Sequence, residues 1–101
     1  MNPEITIITM TASRPREFAN LQAYIQAQSF RQFDWLVVKD TDIAYPKPIA
    51  GERRIQRKKQ QGELHSMLEN LRLGISKVQT PLIAIFEDDD WFAPDYLETM
   101  V

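Results

Sequence analysis

Four consecutive carboxylates, Glu87-Asp88-Asp89-Asp90, follow directly on the apolar segment Leu82-Ile83-Ala84-Ile85-Phe86 and lead into Trp91-Phe92-Ala93-Pro94-Asp95. Like charges about 4 Å apart repel by about 4 kcal/mol at an effective dielectric of about 20, so such a cluster needs full solvation or a cation. A divalent metal is the simpler answer. Magnesium and manganese take oxygen ligands, keep several waters, and are commonly shared between one or two carboxylates and substrate phosphates. The cluster therefore points to a phosphate-bearing substrate.

Further polar residues stand where other elements end. Ile5 to Thr11 is dense in β-branched residues with little polar alternation, the pattern of a strand buried on both faces, and Ser13-Arg14-Pro15 stops it. Pro15 opens a predicted helix to about Gln28, with Phe18, Leu21, Tyr24 and Ile25 at helical spacing. Trp35-Leu36-Val37-Val38 makes a second short strand that ends in Lys39-Asp40-Thr41-Asp42. From Ile43 to about Gln61 the pattern dissolves, and the expectation there is a loop with at most a frayed helical turn between Arg53 and Gln60. Leu64, Leu68, Leu71, Ile75 and Val78 then step 4-3-4-3, predicting a helix over Glu63 to Val78. Leu82 to Phe86 is the third predicted strand, and Pro94 to Glu98 the first turn of a last helix.

Strands alternating with helices predict an α/β fold of three layers, with a mostly parallel sheet covered on both faces. Such sheets bind ligands at the carboxyl ends of their strands. Thr9 to Arg14, Asp40 to Asp42 and Glu87 to Asp90 are thus expected to share one edge.

The 101 residues are 44% hydrophobic and 26% charged, which fits one globular domain spanning residues 1–101. The net charge of -2 gives no general attraction to nucleic acid or anionic membrane. Charge is segregated along the chain: six of 12 basic residues are Lys47, Arg53, Arg54, Arg57, Lys58 and Lys59, and six of 14 acidic ones lie between Glu87 and Glu98. Cysteine is absent, which removes disulfides, thiolate nucleophiles and cysteine-ligated zinc. No apolar run approaches the roughly 18 residues needed to span a bilayer, and Met1-Asn2-Pro3-Glu4 lacks a basic leader, so a cytoplasmic location is expected.

In these stretches the chain resembles the N-terminal, nucleotide-binding half of a family 2 glycosyltransferase with the GT-A fold. Ile5-Thr6-Ile7-Ile8-Thr9-Met10-Thr11 with Arg14-Pro15 is similar to the family's opening strand and turn, and Ala27-Gln28-Ser29-Phe30 with Phe33 to Asp40 to its second strand and approach. Gly74-Ile75-Ser76-Lys77 before Pro81 to Trp91 resembles its helix, strand and metal-binding Asp-x-Asp region, with Pro94-Asp95 as the usual sequel. The likeness covers most of the chain. It departs at Lys39, where an acidic residue is usual, at Ser13, where Asn is usual, and between Ile43 and Gly62, where a helix and short strand are usual.

The resemblance implies a Rossmann-like donor-binding half in which Thr9, Met10 and Thr11 line the nucleotide pocket and Asp40 contacts the base. Asp88 would contact ribose or metal-bound water, Asp89 or Asp90 would ligate the metal, and Asp88, Asp89 and Asp90 together are the candidate metal ligands. Arg14 is a candidate for the diphosphate. The implied activity is inverting transfer of a glycosyl group from a nucleotide-diphosphate sugar, dependent on manganese or magnesium, to an acceptor hydroxyl of a saccharide, lipid or protein. In the family the acceptor-binding half and the general base lie beyond the position of Val101, so the expectation for these residues alone is donor affinity with negligible transfer. Contact with a membrane surface, if any, is expected from those further parts.

Two other functions compete. A nucleotidyltransferase-like domain would use clustered aspartates around two metals, but a glycine-rich phosphate loop is missing. A non-catalytic module would use the basic run 53–59 for nucleic acid or an acidic partner, which the acidic strand end disfavours. His65 has no second His or Cys nearby and is not expected to be a ligand, Asp42 is a weaker candidate than Asp40, and Trp91 and Phe92 are expected to pack rather than to stack on sugar.

Overall fold

A computed structural model of the chain describes residues 3–41, 43–57, 66–89 and 91–100. Its elements in order are β1 (Ile5–Thr11), α1 (Pro15–Gln26), β2 (Phe33–Lys39), β3 (Glu52–Gln56), α2 (Ser66–Ser76), β4 (Leu82–Ile85) and α3 (Tyr96–Met100). The four strands form one sheet in the order β3-β2-β1-β4, and every pairing is parallel. Among the described residues no helix is long and apolar enough to cross a membrane.

β1 is one of the two interior strands, with β2, because its side chains can be buried on both faces. Ile5, Ile7, Thr9 and Thr11 alternate with Thr6 and Ile8, and all six are buried. Ile5 and Ile7 join Phe18, Leu21 and Ile25 of α1, Trp35 and Val37 of β2, Phe86 just after β4, and Leu97 of α3 in one core cluster. Trp35 is its largest member, stacked on Phe18 at 5.5 Å and donating its indole N–H to Thr9 Oγ1 at 3.0 Å. On the opposite face α2 lies so close that a Cβ at Gly74 would stand 3.0 Å from Ile8 Cγ2 and 3.5 Å from Val38 Cγ2. Glycine at that position lets helix backbone approach the sheet. The result is three layers, α1 and α3, sheet, then α2.

The expectation of a loop or frayed helical turn after residue 43 is corrected at Glu52–Gln56, which is an edge strand paired to β2 from Trp35↔Glu52 to Lys39↔Gln56. The segment reads poorly as a strand because it is polar, yet an edge strand needs a hydrogen-bonded neighbour on one side only, and charge on an edge discourages pairing with other chains. Glu52 turns inward. Its carboxylate has a fully buried side chain and accepts from Gln22 Nε2 at 3.0 Å, Ile49 N at 3.2 Å and Arg54 Nε at 2.8 Å. Gly51, at φ +85°, makes the turn that delivers the chain into β3. Residues 43–51 of the connection cross the α1 face, where Tyr45 packs on Phe18 at 5.3 Å and the Pro46 carbonyl accepts from Arg54 Nη1 at 2.8 Å. The helix predicted over 63–78 is described from Ser66 to Ser76, its start and His65 lying outside the described residues.

Candidate functional site

Parallel pairing places the ends of β1, β2 and β4 on one edge, and their polar residues meet there. A pocket of about 330 Å³ is lined by Met10, Thr11, Ala12, Ser13 and Arg14 after β1, Asp40 after β2, Met67 and Asn70 of α2, and Glu87, Asp88 and Asp89 after β4. Its mouth lies where the strand order reverses between β1 and β4, the place at which open parallel sheets leave a crevice.

The floor is a directional chain of hydrogen bonds. The backbone N–H of Arg14 donates to Tyr45 Oη at 2.9 Å, Tyr45 Oη meets Thr11 Oγ1 at 2.7 Å, and Thr11 Oγ1 donates to Asp88 Oδ2 at 2.8 Å. An amide can only donate and a carboxylate can only accept, so the one proton of each hydroxyl is committed forward: Tyr45 to Thr11, Thr11 to Asp88. Burial pushes the Asp88 carboxyl above its ordinary range, and the Thr11 hydrogen bond and the Arg14 charge pull it back in part. Arg14 Nη1 lies 2.5 Å from Asp89 Oδ2 and 3.7 Å from Asp88 Oδ1, and Asp89 holds the guanidinium in its charged form.

A second group of contacts holds Asp40, whose side chain is only 6% exposed. Asn70 Nδ2 donates to Asp40 Oδ2 at 2.9 Å, Arg57 Nε donates to Asn70 Oδ1, and Arg57 Nη2 stands 3.8 Å from Asp40 Oδ2. Asp40 and Asn70 thus sit together on the pocket wall.

Of the residues singled out in the sequence, Met10, Thr11, Arg14, Asp40, Asp88 and Asp89 line this pocket. Thr9 does not: it is fully buried under Trp35, whose indole it receives. Asp42 and Asp90 lie outside the described residues, as do Lys58 and Lys59 of the basic run. Within that run Arg54 pairs with Glu52 and lies 5.1 Å from the Phe18 ring centroid, Arg57 faces Asp40 and Asn70, and Arg53 is exposed. Phe92 packs as expected, stacked on Phe86 at 3.8 Å, but Trp91 is 66% exposed with only an edge-on approach to Tyr24.

Tyr45 and Asn70 are not legible as site residues, and Arg57, read in the sequence only as part of the basic run 53–59, is found against Asp40 and Asn70. Tyr45 stands in a stretch without periodicity, and Asn70 on a helix whose apolar step draws attention to its neighbours.

Among the described residues no three of His, Cys, Asp or Glu converge as a metal cage. What remains is an all-oxygen pair, Asp88 Oδ1 and Asp89 Oδ2, facing one cationic nitrogen of Arg14 at a pocket rim. That donor set fits a hard divalent cation completed by waters and substrate oxygens, the usual manner of magnesium.

No protein-family model matches the chain, and a search of curated proteins finds no significant match.

Proposed function

We propose that this chain is the donor-binding part of a metal-dependent glycosyltransferase resembling family 2, with a Rossmann-like GT-A core. The observation that carries the reading is the convergence of Thr11, Asp40 and Asp88 from three strand ends onto one pocket. The strand order β3-β2-β1-β4 supports it, being that of the first four strands of a dinucleotide-binding sheet.

In this reading Asp40, steadied by Asn70, accepts a hydrogen bond from the nucleobase, and Arg14 offers paired N–H groups to diphosphate oxygens. Thr11 keeps Asp88 Oδ2 occupied, so Oδ1 is the oxygen left for ribose, water or a metal. Asp88 and Asp89 would hold a manganese or magnesium ion, which when bound stabilises negative charge on the departing diphosphate. The general base and the acceptor site would be contributed from outside these residues. The residues of this chain therefore bind and orient the donor.

Calorimetric titration of uridine, guanosine and thymidine diphosphates, with and without manganese, tests this. At least one should bind in a metal-dependent manner. Equal affinity with and without manganese, or none for any of the three, contradicts the proposal.

A further inference from the structure

Resting on that reading, we infer that Arg14 is the resident counter-cation of the Asp88–Asp89 turn, and that metal and diphosphate enter together, the metal displacing the guanidinium and the diphosphate receiving it.

The oxygens left free at the turn decide what can bind there. Asp88 Oδ2 is taken by Thr11, so the turn directs Asp88 Oδ1 and Asp89 Oδ2 toward the pocket, and Arg14 Nη1 stands against both, at 3.7 and 2.5 Å. These are the oxygens a metal would use. A guanidinium and a divalent cation cannot both occupy that point, since their charges repel at contact distance. One must leave for the other.

Arg14 is built to move at its tip and not at its root. Its N–H is held by Tyr45 Oη at 2.9 Å and its carbonyl accepts from Phe18 N at 2.9 Å, opening α1, while its side chain is half exposed. The backbone is a fixed pivot, and the guanidinium can swing within the pocket it already lines. A diphosphate arriving with the metal supplies the anion that a displaced guanidinium needs. Each therefore favours the other: metal alone must expel Arg14 into water, and diphosphate alone must compete with two carboxylates for it. This is positive coupling between two ligands through one side chain.

The test is a pair of titrations on wild type and Arg14→Gln. Manganese(II) alone, followed by the electron paramagnetic resonance of the free ion, should bind about fivefold more tightly to the variant, the upper range for a half-exposed ion pair. The manganese complex of uridine or guanosine diphosphate, whichever wild type prefers, should bind the variant more weakly. Opposite signs mark the hand-over, because general damage to the fold would weaken both. Arg14→Lys, which keeps the charge without the fork, should fall between the two for each ligand. Unchanged or weaker manganese binding by Arg14→Gln, or unchanged nucleotide affinity, overturns the inference and leaves the donor reading standing. No manganese bound to either chain, with or without nucleotide, overturns both.

Discussion

The hydroxyl of Thr11 donates to Asp88 Oδ2 at 2.8 Å in a buried hydrogen bond that ties the end of β1 to the turn after β4. The two strands pair directly, Ile8 opposite Ile85, and the bond closes the crevice floor where the strand order reverses. Removing the donor leaves a buried carboxylate oxygen unpaired, at a cost of about 1–3 kcal/mol. Thr11→Val should lose stability in that range by urea denaturation, and Thr11→Ser, which retains the hydroxyl, should lose less than half as much.

Burial holds the Asp88 carboxyl above its ordinary value of 3.8. The folded chain therefore keeps this proton at pH values where the unfolded chain has released it, and the linkage runs against folding: stability is full below 3.8 and declines as pH rises through the folded value. Asp88→Asn removes this titration. The variant should melt at a higher temperature than wild type at pH 7, with the difference shrinking to near zero in scans below pH 3.8. An equal advantage at both pH values would refute the sign.

Tyr45 reaches the site from the β2–β3 connection, with its ring against Phe18 and under Lys39 Nζ at 4.9 Å. Tyr45→Phe retains that packing and removes the hydroxyl that donates to Thr11 and accepts from the Arg14 backbone N–H. Its effect on stability should be about 1 kcal/mol or less. Combined with Thr11→Val it should add less than it costs alone, since only the bond from the Arg14 N–H is then left to lose. A double variant whose stability loss is the simple sum would show that the two hydroxyls act separately.

Glu52 is the residue on which β3 depends. Its carboxylate is fully buried and Arg54 is its charged partner, with Nη2 at 2.5 Å. Breaking a buried pair by removing one member costs about 3–5 kcal/mol, whereas replacing both with apolar groups is often neutral. Glu52→Ala should fall in that range by denaturant titration, and Glu52→Leu with Arg54→Met should recover most of the loss.

Glu52 also marks where sequence reading stops. β1, β2 and β4 are legible because Ile5 to Ile8, Trp35 to Val38 and Leu82 to Ile85 are apolar or β-branched enough to declare themselves. β3 is held by a buried ion pair and by one hydrogen-bonded edge, and neither leaves a periodic trace in Glu-Arg-Arg-Ile-Gln. The pocket follows a similar division. Asp40, Asp88 and Arg14 follow strands immediately, so parallel topology alone brings them together. Tyr45 and Arg57 arrive through a non-periodic connection and an edge strand, and their partners are set by tertiary contacts. The basic run reads in the sequence as a binding face, yet Arg54 and Arg57 are engaged by Glu52, Asp40 and Asn70.

The central claim is that the ends of β1, β2 and β4 form one metal-assisted donor site. Manganese broadens nearby resonances, so amide spectra recorded with substoichiometric manganese and a nucleoside diphosphate locate the ion directly. Signal should be lost selectively from Thr11, Ala12, Ser13, Arg14, Asp88 and Asp89, with weaker effects at Asp40 and Asn70 and none at Ser29, Arg31 or Gln32 at the opposite, amino ends of the strands. Broadening centred on those far residues, or spread evenly over the chain, would contradict it.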